Sequence, residues 1–358
     1  MVDALGAVDG PDDGRDVWPS LAGMLGNARR VLLVHHWDAD GISTAAMLAD
    51  EIERLSVSVR GFTPVIGNFF LSPEDRSAIE HGPGHDIVLV VDYALPVEDM
   101  GWLADRWPTA QIDHHLLRHD RIVQVNPVVD GADPGSYPSA SWVATGYLDR
   151  DPDLLSVYGV VGDVGDRVRG MPVWPAVEAV LERHGLTLGD VQRIVDLIDS
   201  AYKVGDREGV IAAVDVVRRA AGDPSSLLNN DEWRGNLAAI DREMERLLSL
   251  PVTERAGLTV REIETRFNLI SALGRSMAAE HGAALVINRG YFPDRDQIYL
   301  RRTDGVHVTR IIEAARERGY SAGGKKEVVG IVVPKEETDR ALDLVYRLSG
   351  GRGAGAGT

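Results

Sequence analysis

Three short apolar runs, VLLV (31–34), DIVLVVD (86–92) and AQIDHH (110–115), lie apart along the first half of the chain, and each runs into polar residues. Runs without polar alternation are buried on both faces. Helix-like segments fall between them, the first with Leu48, Ile52 and Leu55 at helical spacing. That combination predicts an α/β fold with a parallel sheet covered on both sides. In such sheets the chemistry gathers beyond the carboxyl ends of the strands. His36, Asp38 and Asp40 follow the first run, Asp92 closes the second, and Asp113, His114 and His115 close the third.

Further along, the pattern changes period. Residues 171–250 read as helices, with stripes at Val177, Val180 and Leu181, at Val191, Ile194, Val195 and Ile198, and at Leu237, Ile240, Met244, Leu247 and Leu248. Thr187, with Asp190 three residues on, predicts a capped helix start. After Pro251 the alternation returns, with strands expected over 258–264, 283–288, 297–302 and 327–333 and helices over 268–280, 306–318 and 335–348. The expected organisation is a flexible acidic start (1–20), a parallel-sheet domain (21–170), a helical part and connector (171–250), a smaller α/β domain (251–349) and a disordered tail (350–358).

Composition narrows the chemistry. The chain has no cysteine, which removes thiolate metal sites and suits a reducing cytoplasm, the compartment expected. Any metal must be held by oxygen and imidazole, as suits Mn²⁺ or Mg²⁺. No apolar run is long enough to cross a bilayer. The formal charge is −17, from 38 basic and 55 acidic residues. Non-specific coating of long nucleic acid needs a basic surface, so any nucleic-acid contact must be local.

Four clusters carry the reactive residues: HWDADG (36–41), VVDYA (90–94), IDHH (112–115) and GVVGDVGD (159–166). Singly, each has a plain reading as a turn, a helix cap or a buried histidine pair. Together at one sheet edge, so many carboxylates and imidazoles repel and desolvate one another unless cations join them. A pair of divalent ions sharing one carboxylate resolves that cost, and can ionise a water for in-line phosphoryl displacement.

The ordered set HxDxDG, D, DHH and GxxGD resembles the DHH phosphoesterases, which include RecJ-like exonucleases, nanoRNases and related pyrophosphatases. The resemblance extends over nearly the whole chain, with a C-terminal part similar to a DHH-associated domain. It implies two Mn²⁺ ions, with Mg²⁺ as the alternative. His36, Asp38 and Asp40 would hold them, Asp92 would bridge them, and His114 and Asp163 would complete the second site. Asp113 would orient an imidazole and take part in catalysis with Asp92, while His115 would face the substrate phosphate. His35 and Asp166 stand as alternatives to His36 and Asp163, which keep the family spacing. Asn126, in an Asn-Pro stretch after the DHH residues, is a further candidate for substrate contact, and Ser139 and Ser141 read as helix caps.

In the C-terminal part the family's Gly-Gly-His loop corresponds to AGGKKEVVG (322–330), with Gly323, Gly324 and Gly330 matching and Lys325 in place of the histidine. Lysine brings a point charge but does not accept a proton at neutral pH. Arg301 matches an inward family arginine. From Arg289 to Lys326 nine basic residues face five acidic ones, a local reversal of sign that marks Arg301, Lys325 and Lys326 for a nucleic-acid backbone. The acidic and basic residues of 310–318 read instead as pairs on a helix surface.

The resemblance implies a two-metal phosphodiesterase that degrades single-stranded DNA or RNA from an end. The alternatives are action on short oligoribonucleotides or a cyclic dinucleotide, and an inactive replication or repair scaffold of the same fold. A single strand or short oligonucleotide is the expected partner, with a helicase or replisome protein as a further one.

Overall fold

The structure, a computed structural model, describes residues 18–220 and 222–349. The expected flexible start therefore lies outside the described residues except for 18–20, and the expected tail, 350–358, lies wholly outside them. The described chain divides into two compact units. The first comprises 18–65, 70–199 and, apart from 221, 207–230; the second comprises 66–69, 200–206 and 231–349. The helical stretch is shared between them. Helices Trp174–His184, Leu188–Ile198, Arg207–Arg219 and Pro224–Leu228 belong to the first unit, and Ser200–Val204 and Asp231–Leu248 to the second. Thr187 and Asp190 form the capping box that their spacing predicts.

The first unit is built on five parallel strands: β1 (Arg30–His35), β2 (Ser58–Phe62), β3 (Ile87–Val91), β4 (Thr109–Ile112) and β5 (Val123–Val125). Their order is β2-β1-β3-β4-β5. The three apolar runs are the three central strands, buried on both faces. The edge strands escape the sequence reading because β2 (SVRGF) carries Arg60 and Gly61, and β5 has only three residues. The register places His35 beside Val91, and Val91 beside Ile112. His36, Asp92 and Asp113 are thus level with one another, one step beyond the strand ends. The ladder continues through them: His36 N donates to Val91 O (3.3 Å), Asp92 N to Ile112 O (3.0 Å) and Asp113 N to Val125 O (3.1 Å). The strand order reverses between β1 and β3, which is where α/β sheets leave a crevice for ligands.

Two helices close on that edge. The first, Ala39–Arg54, starts at Asp38, whose side chain caps it by accepting from Gly41 N at 3.2 Å. Gly41 is required by proximity: a β-carbon there would lie 2.5 Å from His36 O. The second, Leu154–Val164, crosses the start of the first. A β-carbon on Gly159 would collide with Ser141 Oγ and Asp40 Oδ1, and one on Gly162 would lie 3.2 Å from Ala39 Cβ. The glycines of GVVGD are therefore what allow Asp163 to approach Asp40.

The second unit has six strands: β6 (Thr253–Arg255), β7 (Leu258–Ile263), β8 (Ala283–Asn288), β9 (Arg295–Arg302), β10 (Ser321–Lys325) and β11 (Val328–Pro334). They run in the order β10-β11-β9-β8-β7-β6, and only β7 and β8 pair in parallel. One face packs helices Thr309–Arg316 and Thr338–Ser349 around Leu285, Leu300, Ile331 and Val345. The other packs helix Ile270–His281, with Ile240 and Leu247, around Val286 and Tyr299. Among the described residues no helix is long and apolar enough to cross a membrane.

The Gly159 contact gives a direct test of this packing. Gly159→Ala should destabilise the protein by about 1–3 kcal/mol, through overpacking against Ser141 and Asp40. Gly146→Ala, where a β-carbon would meet nothing within 4 Å, should be neutral or stabilise by up to about 1 kcal/mol. Urea unfolding midpoints measure both, and equal midpoints would contradict the close approach.

Candidate metal centre

Beyond the ends of β1, β3 and β4, the carboxylates and imidazoles form three overlapping groups whose ligand atoms lie within 4.8 Å of one another: the trios His36, Asp38 and Asp92, and Asp40, His114 and Asp163, and the four residues Asp92, Asp113, His114 and His115. In the first, His36 Nδ1 is 2.7 Å from Asp38 Oδ2 and 3.8 Å from Asp92 Oδ2. In the second, His114 Nε2 is 3.1 Å from Asp163 Oδ2 and 3.6 Å from Asp92 Oδ1. Asp92 thus turns one oxygen to each trio. Its backbone is left-handed (φ 52°), an uncommon conformation for a residue with a β-carbon, costing about 1–3 kcal/mol.

Local structure fixes each group. The His36 ring packs against Trp37 (4.2 Å between ring centroids) and Tyr93 (5.4 Å), which also touch each other (5.7 Å), and this gives Trp37 a part in holding the imidazole. Asp40 is fully buried and accepts from Ala140 N (2.6 Å) and Ser141 N (2.9 Å) at the start of helix Ala140–Tyr147. Ser139 caps that helix, accepting from Trp142 N at 3.1 Å, and its hydroxyl meets Ser141 Oγ at 2.9 Å. Ala39 N donates to Asp199 Oδ1 at 2.9 Å, anchoring the start of the 39–54 helix.

Asp113 is buried, and its oxygens are occupied by His114 N (2.8 Å), His115 Nδ1 (2.7 Å) and Gln111 Nε2 (3.1 Å). It orients the loop and the His115 ring. The His115 side chain is 42 % exposed with Nδ1 engaged, so Nε2 is the nitrogen left to meet a substrate.

The electrostatics are those of crowded like charges. Burial, then the charges of Asp40, Asp38, Asp163 and Asp113, push Asp92 well above the ordinary carboxylate range. Burial and Asp163 push Asp40 up to about 6. Burial works against ionised Asp38, but the adjacent His36 outweighs it and brings the carboxyl down to about 2. Burial likewise opposes protonation of His114, yet the negative charge of Asp163, 3.1 Å away, and of the carboxylates around it bring it up to about 9. For His115 burial is outweighed by Asp113, and the pKa rises.

The donor set fits divalent ions. Two imidazole nitrogens and four carboxylates, with no thiolate, make a hard oxygen-nitrogen cluster. His114 Nε2 is buried with no properly directed hydrogen bond, although carboxylates surround it. A buried nitrogen aimed at several carboxylates and bonded to none is placed as a ligand atom would be.

Not every sequence candidate is in this cluster. His35 is fully buried, its Nδ1 is 2.8 Å from His36 O, and burial lowers its pKa to about 4; it does not join either trio. Asp166 stands on the short 3-10 turn Gly165–Gly170 and joins neither trio. Asn126 is the clearest correction. It is fully buried, donates to His115 O (2.8 Å) and accepts from Val128 N (3.1 Å) and Val129 N (3.3 Å), so it braces the His115 loop from inside.

The basic candidates belong to the second unit. The register β9-β11-β10 aligns Arg301 with Val328 and Lys325, and Tyr299 with Gly330 and Gly323. Residues two apart on a strand share a face, so Arg301, Lys325, Gly323 and Gly330 lie on one side of the sheet. β-Carbons on Gly323 and Gly330 would meet nothing within 4 Å, so that face is open at these two positions, away from the part around Tyr299 that helix Ile270–His281 covers. The loop expected over 322–326 is instead strand β10 and its turn. Gly324 has φ 151°, and a β-carbon there would collide with Val328 O, so the hairpin backbone itself demands that glycine. Lys326 is exposed in the turn. The expected side-chain pairing along 310–318 gives way to bonds with backbone: Arg316 donates to Ala322 O and Arg318 to Ala314 O.

Gln111 and Asp199 are supports that the sequence reading does not reach. Gln111 carries a signal, a lone amide inside a buried strand. Asp199 carries none, being an ordinary helix-end residue until the fold brings it to Ala39.

No family sequence model and no curated protein sequence matches the chain. Solved structures do. RecJ from Thermus thermophilus in complex with Mn²⁺ superposes with a TM-score of 0.64 at 16% identity, covering 96% of this chain and 55% of that one. The chain has the RecJ-like DHH fold. It spans about half the length of that Thermus RecJ. A second structure, exonuclease RecJ bound to manganese, has a TM-score of 0.61 at 15% identity and covers 90% of this chain and 91% of its own. A DHH domain described as a member of a family of ribosomal proteins gives 0.62 at 17% identity, covering 91% and 88%. On this fold the two trios occupy the carboxyl edge of the parallel sheet, at the reversal of strand order.

The His114 shift contributes to the pH dependence of the metal-free protein, alongside the raised Asp92 and His115. A histidine raised from 6.5 to about 9 adds stability that is fully present below pH 6.5 and lost as pH rises through 9. Metal-free melting temperature should therefore fall between these values, and fall less in His114→Asn. An identical fall in the variant would contradict the assignment.

Proposed function

We propose that the chain is a metal-dependent phosphodiesterase that degrades single-stranded DNA or RNA from an end. The observation that carries this reading is Asp92, with Oδ2 toward His36 and Oδ1 toward His114. That placement suits a carboxylate shared by two divalent ions, Mn²⁺ or Mg²⁺. His36, Asp38 and Asp92 would hold one ion, and Asp40, His114, Asp163 and Asp92 the other. Bound there, the ions would supply Lewis acidity toward phosphate and lower the pKa of water.

The protein's own groups do the rest. Asp113 accepts from His115 Nδ1 and favours the imidazolium, so His115 Nε2 carries a proton toward a phosphate oxygen as charge develops on it. Asn126 holds the His115 carbonyl and Gln111 holds Asp113, so the ring is fixed before substrate arrives. In the second unit Arg301 and Lys325, beside the open Gly323 and Gly330 face, would bind the phosphate backbone. Lys325 supplies charge without general acid–base chemistry. The solved RecJ structures, with Mn²⁺ or with Mg²⁺ and one of them described as an exonuclease, support a divalent ion and the exonuclease reading. The acidic surface favours a second reading, action on short oligonucleotides, since a −17 chain attracts long strands poorly. Intact ligand trios argue against an inactive scaffold.

Labelled single strands of DNA and RNA and a dinucleotide, each with Mn²⁺, test the proposal. Wild type should shorten strands from one end. Asp92→Asn should lose about 10²–10³-fold or more in rate, and His115→Ala about 10²-fold, with both variants folded. Undiminished hydrolysis by Asp92→Asn would refute the proposal, and cleavage of the dinucleotide alone would select the short-substrate reading.

A further inference from the structure

Two glutamines face each other across β4 and the edge strand β5. The register pairs Gln111 with Gln124, between the apolar pairs Ala110–Val123 and Ile112–Val125. Gln111 is fully buried and Gln124 half-buried. Burying an amide costs free energy unless its donors and acceptor are engaged, and here all of them are. Gln111 Nε2 donates to Tyr93 O (3.0 Å) and Asp113 Oδ2 (3.1 Å), and its Oε1 accepts from Gln124 Nε2 (2.9 Å). Gln124 Nε2 also donates to Leu117 O (2.7 Å), and its Oε1 accepts from His119 N (3.0 Å).

Backbone groups that cannot exchange roles fix both amides. His119 N–H only donates and Leu117 O only accepts, so a flipped Gln124 would set donor against donor and acceptor against acceptor. Tyr93 O fixes Gln111 in the same way. Gln111 therefore presents N–H to Asp113 Oδ2, and Asp113 keeps Oδ1 for His114 N (2.8 Å) and His115 Nδ1 (2.7 Å). One continuous chain of bonds runs from Gln124 through Gln111 and Asp113 to the His115 ring, and it grips the loop after β4 at residues 113, 117 and 119. Arg118 holds the same loop outside this chain, through Val129 O (2.5 Å) and Asp130 (2.7 Å) at the exposed surface.

We infer that Gln124 is a positioning residue for His115, acting through Gln111 to hold Asp113 and with it the ring whose Nε2 meets the substrate phosphate. Its consequence for rate rests on the proposed phosphodiester hydrolysis; the grip on the ring does not. Without Gln124, Gln111 Oε1, Leu117 O and His119 N lose their partner together, and Gln111 is free to turn away from Asp113. The ring is then misplaced rather than removed, and a displacement of about 1 Å can cost about 10²-fold in rate.

Steady-state hydrolysis of labelled single strands with Mn²⁺, together with proton NMR of the metal-free protein, tests this. Gln124→Leu and Gln111→Leu should each lower kcat about tenfold or more, with KM within about twofold and Mn²⁺ uptake unchanged. Because the two act in one chain, the double variant should lose no more than the worse single one. Arg118→Met should keep kcat within about threefold. The His115 Nδ1–H signal, identified by its absence in His115→Ala, should exchange with water about tenfold or more faster in Gln124→Leu. Gln124→Asn, too short by one methylene to reach its partners, serves if Gln124→Leu does not fold. Unchanged kcat, unchanged exchange, losses that multiply in the double variant, or an equal loss in Arg118→Met would overturn the inference. A wild type that hydrolyses no strand would refute the proposed function instead, and the exchange rates would still decide whether Gln124 holds the ring.

Discussion

The repulsion among carboxylates at the end of β3 is the constraint around which the first unit is organised. Asp92 is buried, carries a left-handed backbone and has Asp38, Asp40, Asp163 and Asp113 as neighbours. A fold gains nothing in stability from such an arrangement. Desolvation and like charge both oppose it, and the protein leaves His114 Nε2 without a directed bond in its midst. What the arrangement supplies is a set of donors held in advance for cations.

Holding them in advance is the work of the scaffold. Central-strand register sets His36, Asp92 and Asp113 level. Glycines at 41, 159 and 162 let two helices and a strand end approach more closely than any side chain would permit. Asp40 is then fixed by two backbone N–H groups, His115 by Asp113, and Asp113 by Gln111. Most of these supports are buried polar groups with satisfied hydrogen bonds, which is how a site keeps its geometry without the ligand present.

Much of this is legible in the sequence, and the reason is periodicity. VLLV, DIVLVVD and AQI stand out because central parallel strands are apolar on both faces, and the polar residues that end them stand out by contrast. The parallel sheet, the second α/β unit and the DHH-type fold follow from that pattern and its motifs. Strands β2 and β10 are not legible: SVRGF and SAGGK resemble loops because an edge strand needs no continuous apolar run. Asn126 reads as a substrate contact because it opens an Asn-Pro stretch after the DHH residues, as in the family it resembles. Only the tertiary structure reveals that it is buried beneath His115. Asp199 illustrates the remaining limit, a contact made across 160 residues that no local pattern announces.

The central claim is that Asp92 joins two cation sites. Its most direct measurement is the stoichiometry of Mn²⁺ uptake by the whole chain, by calorimetric titration of wild type and Asp92→Asn. The account predicts two ions per wild-type chain and weakened binding of both in the variant. A single ion in wild type, or two ions bound with unchanged affinity in Asp92→Asn, would contradict it.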